Sequence, residues 1–445
     1  MRWAVLFLAS LLVAAEPLKL PEPYQSLLEL SHATPPEFSS DALLRIVETG
    51  KITDHAARRA LIEEAFREAS SAKFPIKLRA IPGTTLDTRT GILTQAYNLN
   101  LDALSLESRA VKDLLGLDSA AALALFLEIP PPSLAPLSCD DALVYDPSAY
   151  YEALGLVVNR SFAAAARAKE EHLNLLLGAL GQAASPLQQA PLADAIRNAN
   201  VTPAQRELLW TRYSGMLENS QADGRSYMAS LDPLSRAAGS EAADAFQKFR
   251  QRGTGCPGDA SAGVPVQTRS RTVQAGGTPL VHPYWQSSEA KQMLEDGRKL
   301  RFDSAGHMLS DAERSTPEWK QRLADYLSAL AQWEPSSEDS DADYYHEKSV
   351  VYLALIELIP PGADRDQALN ACIAFMNGSS LAQQSPVEWY LETKLLLERA
   401  RQSNGGEPGK ILEAFEHSGN PVLQLELAFD KAAGPAVPAW AHPQN

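Results

Sequence analysis

The stretch T-P-P-E-F-S-S-D-A-L-L-R-I-V-E-T-G-K-I-T-D-H-A-A-R-R-A-L-I-E-E-A-F, from Thr34 to Phe66, decides the fold class. Apolar residues recur at helical spacing in each half of it, and Gly50 separates the halves. Thr34 and Glu37 have the spacing of a capping box, with Thr34 as the N-cap residue. Two helices joined by so short a turn form an antiparallel hairpin, which is the unit of helical bundles and solenoids.

Helix starts and stops of the same kind recur along the chain. Ser/Thr-Pro pairs begin at Thr202, Thr316 and Ser385, and each predicts the first turn of a helix. Proline pairs at Pro130 and Pro360 end two further helices, because proline cannot continue a helix. Helices therefore account for most of the chain.

The remaining pattern also favours helices. Alanine and leucine predominate over β-branched residues. Residues 147–181 keep helical spacing throughout, whereas 74–85 is an irregular break with room for a short strand. A chain of 445 residues exceeds the size at which one core stops growing, about 250–300 residues. We therefore predict an all-α fold of helical hairpins in a solenoid-like or α/α-toroid arrangement, with two lobes.

Residues 253–281 divide the two lobes. They collect Gly, Pro, Ser and Thr, lack the leucine periodicity of both flanks, and contain Cys256. We predict a helical domain over 16–252, a linker over 253–281, a second helical domain over 282–433 and a flexible tail over 434–445. A basic run crosses the first boundary, and a solvated linker is the preferred interpretation of it. The alternatives are docking on an acidic partner or on the chain's own acidic loop, Glu334–Asp343. The members of the basic run are Lys248, Arg250, Arg252, Arg269 and Arg271.

Residues 1–15 have the features of a secretory signal peptide. Arg2 supplies the positive charge, and Trp3–Val13 is apolar but too short to span a bilayer. Small residues at Val13-Ala14-Ala15 suit a signal peptidase. The sequence predicts a protein exported to the periplasm or the extracellular space, with an uncleaved anchor as the alternative. No later stretch approaches the roughly 20 apolar residues of a membrane helix, so we expect no membrane insertion of the mature chain.

The net charge of −15 bears on the class of partner. A protein that follows nucleic-acid phosphates needs a basic face, and so does one that binds anionic membranes. We therefore expect no nucleic-acid partner.

Three cysteines allow at most one disulfide within the chain. The pattern A-L-x-x-x-I-P-P occurs at Ala124–Pro131 and again at Ala354–Pro361, and a cysteine follows each copy. If the two helix ends face each other, Cys139 pairs with Cys372 and leaves Cys256 as the odd thiol. Three unpaired thiols are the alternative.

No metal or cofactor site is predicted. The stretch Asp339–Asp343 alternates aspartates as a calcium loop does, but an EF-hand needs Gly at its sixth position and Glu at its twelfth. This chain has Tyr344 and Val350 there. His346-Glu347 begins like a zinc-protease motif, but no histidine stands four residues beyond the first. The histidines and cysteines have no metal-ligand spacing elsewhere.

One class of enzyme needs no short motif. Helical toroids host polysaccharide hydrolases and lyases whose acid and base lie on scattered loops, and two carboxylates suffice for hydrolysis. The candidates are carboxylates next to paired tyrosines, and the nearby Asp140 and Asp141 are further ones. The catalytic residues under this hypothesis are Asp146, Tyr150, Asp343, Tyr345 and Glu347.

The leading functional hypothesis is a non-enzymatic exported protein that binds a protein or peptide along a helical concavity. The toroid enzyme is the alternative, and an envelope assembly component is a third. An aliphatic groove favours the binding protein, whereas a deep polar cleft with two carboxylates roughly 5–10 Å apart favours the enzyme.

Overall fold

The computed structural model describes most of the chain outside its two ends. The described residues are 19–81, 88–139, 141–220, 224–253, 256, 272–273, 279–280, 287–335, 340–360, 362–402 and 416–433. Several sequence predictions lie outside them: the signal peptide over 1–15, the tail over 434–445, most of the linker, and Asp140, Arg269 and Arg271.

Helices make up nearly all the regular structure in these ranges, which confirms the all-α prediction. They are α1 Tyr24–Ser31, α2 Pro36–Glu48, α3 His55–Ala69, α4 Thr88–Tyr97, α5 Ala103–Leu115, α6 Ser119–Glu128, α7 Ser148–Arg160, α8 Ala164–Ala168, α9 Glu171–Gln182, α10 Pro186–Arg197, α11 Pro203–Asn219, α12 Gly224–Ala237, α13 Ala243–Arg252, α14 Ser288–Arg298, α15 Asp311–Arg314, α16 Pro317–Gln332, α17 Asp341–Leu358, α18 Ala363–Gly378, α19 Leu381–Gln384, α20 Pro386–Gln402 and α21 Pro421–Ala433.

Within the described ranges, four short strands accompany the helices. They are β1 Leu78–Ala80, β2 Leu143–Tyr145, β3 Thr272–Val273 and β4 Pro279–Leu280. β1 pairs antiparallel with β2, and β3 pairs antiparallel with β4. β1 is the short strand expected in residues 74–85.

The first hairpin forms as predicted, with one correction at its start. α2 begins at Pro36 with Pro35 in the N-cap position, so Thr34 is not the cap. The Thr34 hydroxyl instead donates to the carbonyl of Ser31 at 2.7 Å, which ends the preceding helix. Gly50 has a φ of 67° between α2 and α3, a conformation that costs glycine little. At Thr202 and Thr316 the predicted N-caps are present.

The N-terminal helices pack in two rows. In the first row α2, α3, α5, α7, α10 and α12 each contact the next. In the second row α9, α11 and α13 do the same, and the rows contact each other through α7 with α9 and α12 with α13. This order of contacts is what stacked hairpins produce. The solenoid-like or toroidal arrangement of the complete chain stays a prediction.

Residues 147–181 are not one helical tract, because they divide into α7, α8 and α9. The Arg167 guanidinium donates to the carbonyls of Val158 and Asn159 at 2.8 and 2.7 Å, and so satisfies the last carbonyls of α7. Glu170 then takes a left-handed conformation before α9. A side chain several residues away therefore ends a helix that the local periodicity would continue.

The C-terminal helices close onto the N-terminal ones. One continuous hydrophobic cluster contains residues from both halves. Phe38 and Tyr390 meet edge to face at 5.0 Å, and Arg45 pairs with Glu426 at 2.5 Å. α1 packs against α21, and α4 packs against α20. The division into two lobes stays a prediction.

The disulfide prediction is wrong in its partner. The structure pairs Cys139 with Cys256, whose Cα atoms are 5.3 Å apart, within the normal range for a bridge. Cys372 is the free thiol and is fully buried in α18. Burial among apolar side chains keeps Cys372 away from the loop after Pro130, whereas Cys256 follows α13 at the end of the second row.

The basic run is partly helical rather than a linker. Lys248, Arg250 and Arg252 lie on α13, where Lys248 pairs with Glu218 at 2.7 Å. Arg252 donates to the carbonyl of Leu217 at 2.9 Å at the end of α11. These cations join α13 to α11. In the part of the chain described, no helix has both the length and the apolar character needed to cross a bilayer.

Candidate functional site

A half-open cleft of about 870 Å³ lies where α7, α10 and α12 meet the β1–β2 sheet. Its volume falls within the range of protein ligand sites, about 300–1,000 Å³. Apolar side chains form much of its wall. They are Ile81, Pro147, Leu156, Pro186, Leu187, Pro191, Met228 and Pro233. We call this feature the α7–α10–α12 cleft.

The start of α10 holds the cleft together. Ser185 and Gln188 form a capping box, with Pro186 at the first helical position. The Gln188 side-chain amide also donates to the carbonyl of Pro132 at 2.9 Å and to the Tyr151 hydroxyl at 3.1 Å. Tyr151 lines the cleft. The buried Gln188 amide therefore fixes α10, α7 and the loop at Pro132 relative to one another.

Small residues let α7 and α10 approach at the base of the cleft. A Cβ on Gly155 would lie 3.8 Å from the Cα and Cβ of Ala195. Ala190 and Ala229 also line the cleft. Because these positions carry little side chain, the space above them stays open.

Two of the lining prolines lie inside helices. Pro191 is in α10 and Pro233 is in α12. A proline has no N–H, so the carbonyl four residues earlier loses its helical donor. Those carbonyls belong to Leu187 and Ala229, and both residues line the cleft.

The carboxylates of the cleft are paired with cations. Asp146 is 3.6 Å from the Lys77 amine, and Glu152 is 3.6 Å from the Lys112 amine. Further pairs join Asp194 to Arg197 at 2.8 Å and Asp232 to Arg236 at 3.1 Å.

Arg79 of β1 differs from the other charged lining residues. Within the described ranges its guanidinium has no hydrogen bond and no ion pair. It is half-buried in a chain of net charge −15. An unpaired cation in a cleft of this chain is a candidate contact for an anionic ligand group.

Two predicted catalytic residues lie close in the chain, but only one reaches the cleft. Asp146 lines it, and its carboxylate accepts from the Ser148 N–H at 3.1 Å and the Ser148 hydroxyl at 2.5 Å at the start of α7. Tyr150 is buried and packs against Phe126 and Tyr151, with ring centroids 5.1 and 5.2 Å away. Tyr150 is therefore a core residue.

The other three predicted residues lie on α17 and do not line the cleft. Asp343 accepts from the Ser340 hydroxyl at 2.6 Å at the start of that helix, and Tyr345 stacks on Phe375 at 5.4 Å. Glu347 accepts from the backbone N–H of Ser287 at 3.4 Å. All three side chains are buried. The cleft therefore does not bring Asp146 together with the predicted residues of α17.

A buried polar cluster surrounds these residues. His346 and Glu392 are 2.5 Å apart, and each side chain is about 5% exposed or less. The Lys348 amine donates to the Trp333 carbonyl at 2.8 Å and to the Tyr344 hydroxyl at 2.9 Å. Burial lowers the pKa of Lys348 to about 8. These groups join α17 to its neighbours inside the C-terminal half.

Other perturbed carboxyls lie on α5, away from the cleft. Burial, together with the charge of Asp102, raises the pKa of Glu107 to about 7. Burial and the charge of Glu48 raise the pKa of Asp113 to about 7. Burial also raises the pKa of Glu37 on α2. Such shifts arise in structural networks as well as in active sites.

Arg79, Pro191 and Pro233 line the cleft but were not among the residues predicted from the sequence. The available signal was proline inside helical spacing, at P-L-Q-Q-A-P over 186–191 and L-D-P-L over 231–234. No comparable signal marks Arg79, because its importance depends on which acids lie near it. No group of three or more His, Cys, Asp and Glu side chains in the described residues could hold a metal ion.

Comparison with known proteins adds no relative. No protein-family model, no curated protein and no solved structure matches this chain.

Proposed function

We propose that this chain is an exported binding protein that holds an extended protein or peptide segment in the α7–α10–α12 cleft. The observation that carries the proposal is a half-open cleft of about 870 Å³ with largely apolar walls. Apolar walls with a few polar groups are the usual composition of ligand sites.

The disulfide supports export. Disulfides persist mainly in oxidising compartments such as the periplasm and the extracellular space. The bridge between Cys139 and Cys256 joins the segment before β2 to the residue four positions after the end of α13.

The residues that the polysaccharide-enzyme hypothesis selected do not meet in the cleft. Such an enzyme needs two carboxylates on either side of one substrate bond. Asp146 lies in the cleft, but Asp343 and Glu347 are buried on α17 and do not line it.

Selection from a random peptide library tests the binding function. The immobilised full chain, with its disulfide intact, should enrich peptides of one recognisable pattern. Leu156→Trp fills the cleft from its α7 wall and should abolish their binding. Leu127→Trp is the matched control, since Leu127 is 63% exposed on α6 and does not line the cleft.

Each outcome has a clear meaning when both variants retain the wild-type circular dichroism spectrum. Loss of binding in Leu156→Trp and retention in Leu127→Trp supports the cleft as the site. Failure to enrich any peptide, or equal binding by both variants, contradicts the proposal.

A further inference from the structure

We propose that the bridge between Cys139 and Cys256 is a redox-sensitive switch that sets the shape of the α7–α10–α12 cleft. In the oxidised protein the bridge holds residues 130–139, which we call the proline loop, behind the cleft wall. Reduction by a dithiol releases the loop and loosens that wall. The switch acts on the cleft itself, and its effect on peptide binding rests on the proposed function.

The proline loop lies directly behind part of the cleft wall. Leu134 and Leu137 of the loop pack against a small buried cluster that contains Leu187 of α10 and Ala229 of α12. Leu187 and Ala229 also line the cleft. Protein interiors are close-packed, so a shift of the loop moves the side chains that rest on it. The position of the loop therefore affects the position of this wall.

Few other contacts hold the proline loop. It forms neither helix nor strand, and four of its ten residues are prolines, which have no N–H. In the part of the chain described, none of its backbone N–H groups donates to a backbone carbonyl. The Gln188 amide donates to the Pro132 carbonyl at 2.9 Å, and the Arg225 guanidinium donates to the Cys139 carbonyl. A segment with so few internal bonds opens at low cost.

The bridge fastens the loop to the pair of helices α12 and α13. Cys256 is 5% exposed and lies four positions beyond the end of α13. α13 packs against α12, and the Tyr227 hydroxyl of α12 donates to the Arg250 carbonyl of α13 at 2.8 Å. Because α12 is also a wall of the cleft, the bridge fixes the loop relative to that wall.

Reduction is a two-electron exchange with the dithiol. One thiolate of the dithiol attacks Cys139, the more exposed of the two bridged residues, and Cys256 leaves as a thiolate. The second thiolate of the dithiol then displaces the Cys139 sulfur. The dithiol becomes a disulfide, and its two protons end on the two cysteines. Cys372 takes no part, because it is fully buried in α18.

Hydrogen exchange measured by mass spectrometry tests the switch without a ligand. Reduction with dithiothreitol, confirmed by thiol titration, should speed amide exchange in α10 and α12 about 10-fold relative to the other helices. Oxidised Leu61→Ala is the control for general destabilisation, since Leu61 is fully buried in α3, which packs against α2 and α5. It should not single out α10 and α12.

Variants of the loop test how the effect reaches the cleft. Leu137→Ala weakens the contact with the Leu187 and Ala229 cluster while the bridge stays intact. It should raise exchange in oxidised α10 and α12 towards the reduced level and diminish the response to dithiothreitol. Ser133→Ala changes an exposed loop residue outside that cluster and should behave as the wild type does. Cys372→Ala should keep the full response.

Peptides selected on the oxidised protein test the link to binding. Reduction should weaken their binding about 10-fold, within the usual range of coupling between two sites. Coupling between binding and reduction is reciprocal, so a saturating peptide should make the bridge harder to reduce by the same factor. Oxidised Leu61→Ala should bind these peptides as the wild type does.

The switch and the binding function fail on different results. Equal exchange in α10 and α12 before and after reduction, or a change no larger than that of Leu61→Ala, overturns the switch whether or not a peptide binds. Faster exchange in both helices with unchanged peptide affinity supports the switch and contradicts the cleft as the peptide site. If no peptide is enriched, the proposed function is contradicted and the exchange result still decides the switch.

Discussion

Removal of the bridge between Cys139 and Cys256 should destabilise the protein by a predictable amount. The two cysteines are 117 residues apart in the chain. In the chain-entropy model, closing a loop of that length stabilises the folded state by about 4–5 kcal/mol. Cys256→Ser, Cys139→Ser and the double variant should each lose this amount, because any one change opens the same loop.

Urea unfolding followed by circular dichroism measures the effect. A slope of about 3 kcal/mol per molar urea converts the loss into a midpoint lower by about 1.5 M. The reduced wild type should match the double variant, since both lack only the cross-link.

Thiol counting on unfolded, unreduced protein identifies the partner. The wild type should show one free thiol, Cys372→Ala none, and Cys256→Ser two. If Cys139 paired with Cys372 instead, Cys256→Ser would show none. That count, or equal midpoints for oxidised and reduced protein, would refute the reasoning.

Three further changes test the packing away from the cleft. Glu107→Gln should remove a pH dependence of stability, because the pKa of Glu107 is raised to about 7 in the folded protein. The free energy of unfolding of the wild type should therefore fall by about 1.4 kcal/mol per pH unit as pH rises from about 4.5 to 7. Urea midpoints at pH 5 and pH 8 measure the difference. Gly253→Ala should cost about 1–3 kcal/mol in the same assay, because its Cβ would lie 1.8 Å from the Tyr227 ring. Arg45→Met should cost about 3 kcal/mol and lower the midpoint, because it leaves the buried Glu426 carboxylate unpaired.

Matched controls separate these mechanisms from general sensitivity. Glu128→Gln changes an exposed carboxyl at the end of α6 and should keep the wild-type pH dependence. Gly178→Ala adds a Cβ inside α9 with no atom within 4 Å, and should stabilise by about 0.5–1 kcal/mol. Arg236→Met breaks an exposed pair and should cost less than about 1 kcal/mol. If a control variant changes stability, or its pH dependence, as much as the test variant does, the corresponding mechanism is contradicted.

Local sequence signals predicted the helices well. Thr202 caps α11 through a capping box with Gln205, and α6 and α17 end just before their proline pairs, at Glu128 and Leu358. Each of these features depends on residues within one helical turn. Thr34 is the exception, since its hydroxyl bonds to the preceding helix.

Features that depend on distant residues were not predictable in the same way. The end of α7 depends on Arg167, and the partner of Cys139 depends on where α13 ends. Asp146, a catalytic candidate from the sequence, lines the cleft, yet the pattern that selected it also selected Tyr150, which is buried. A tyrosine next to an acid looks the same in sequence whether the ring faces a cleft or the core.

The contact of α1 with α21 has a consequence for the order of events during synthesis. α1 is the first described helix to leave the ribosome, and α21 is the last. Arg45 and its ion-pair partner Glu426 are 381 residues apart in the chain. In the folded protein the Arg45 guanidinium also lies 3.8 Å from the Phe429 ring centroid. Until α21 has been synthesised, the apolar face of α1 that meets α21 has no partner in the nascent chain, so a chaperone that recognises such faces has a long opportunity to bind α1.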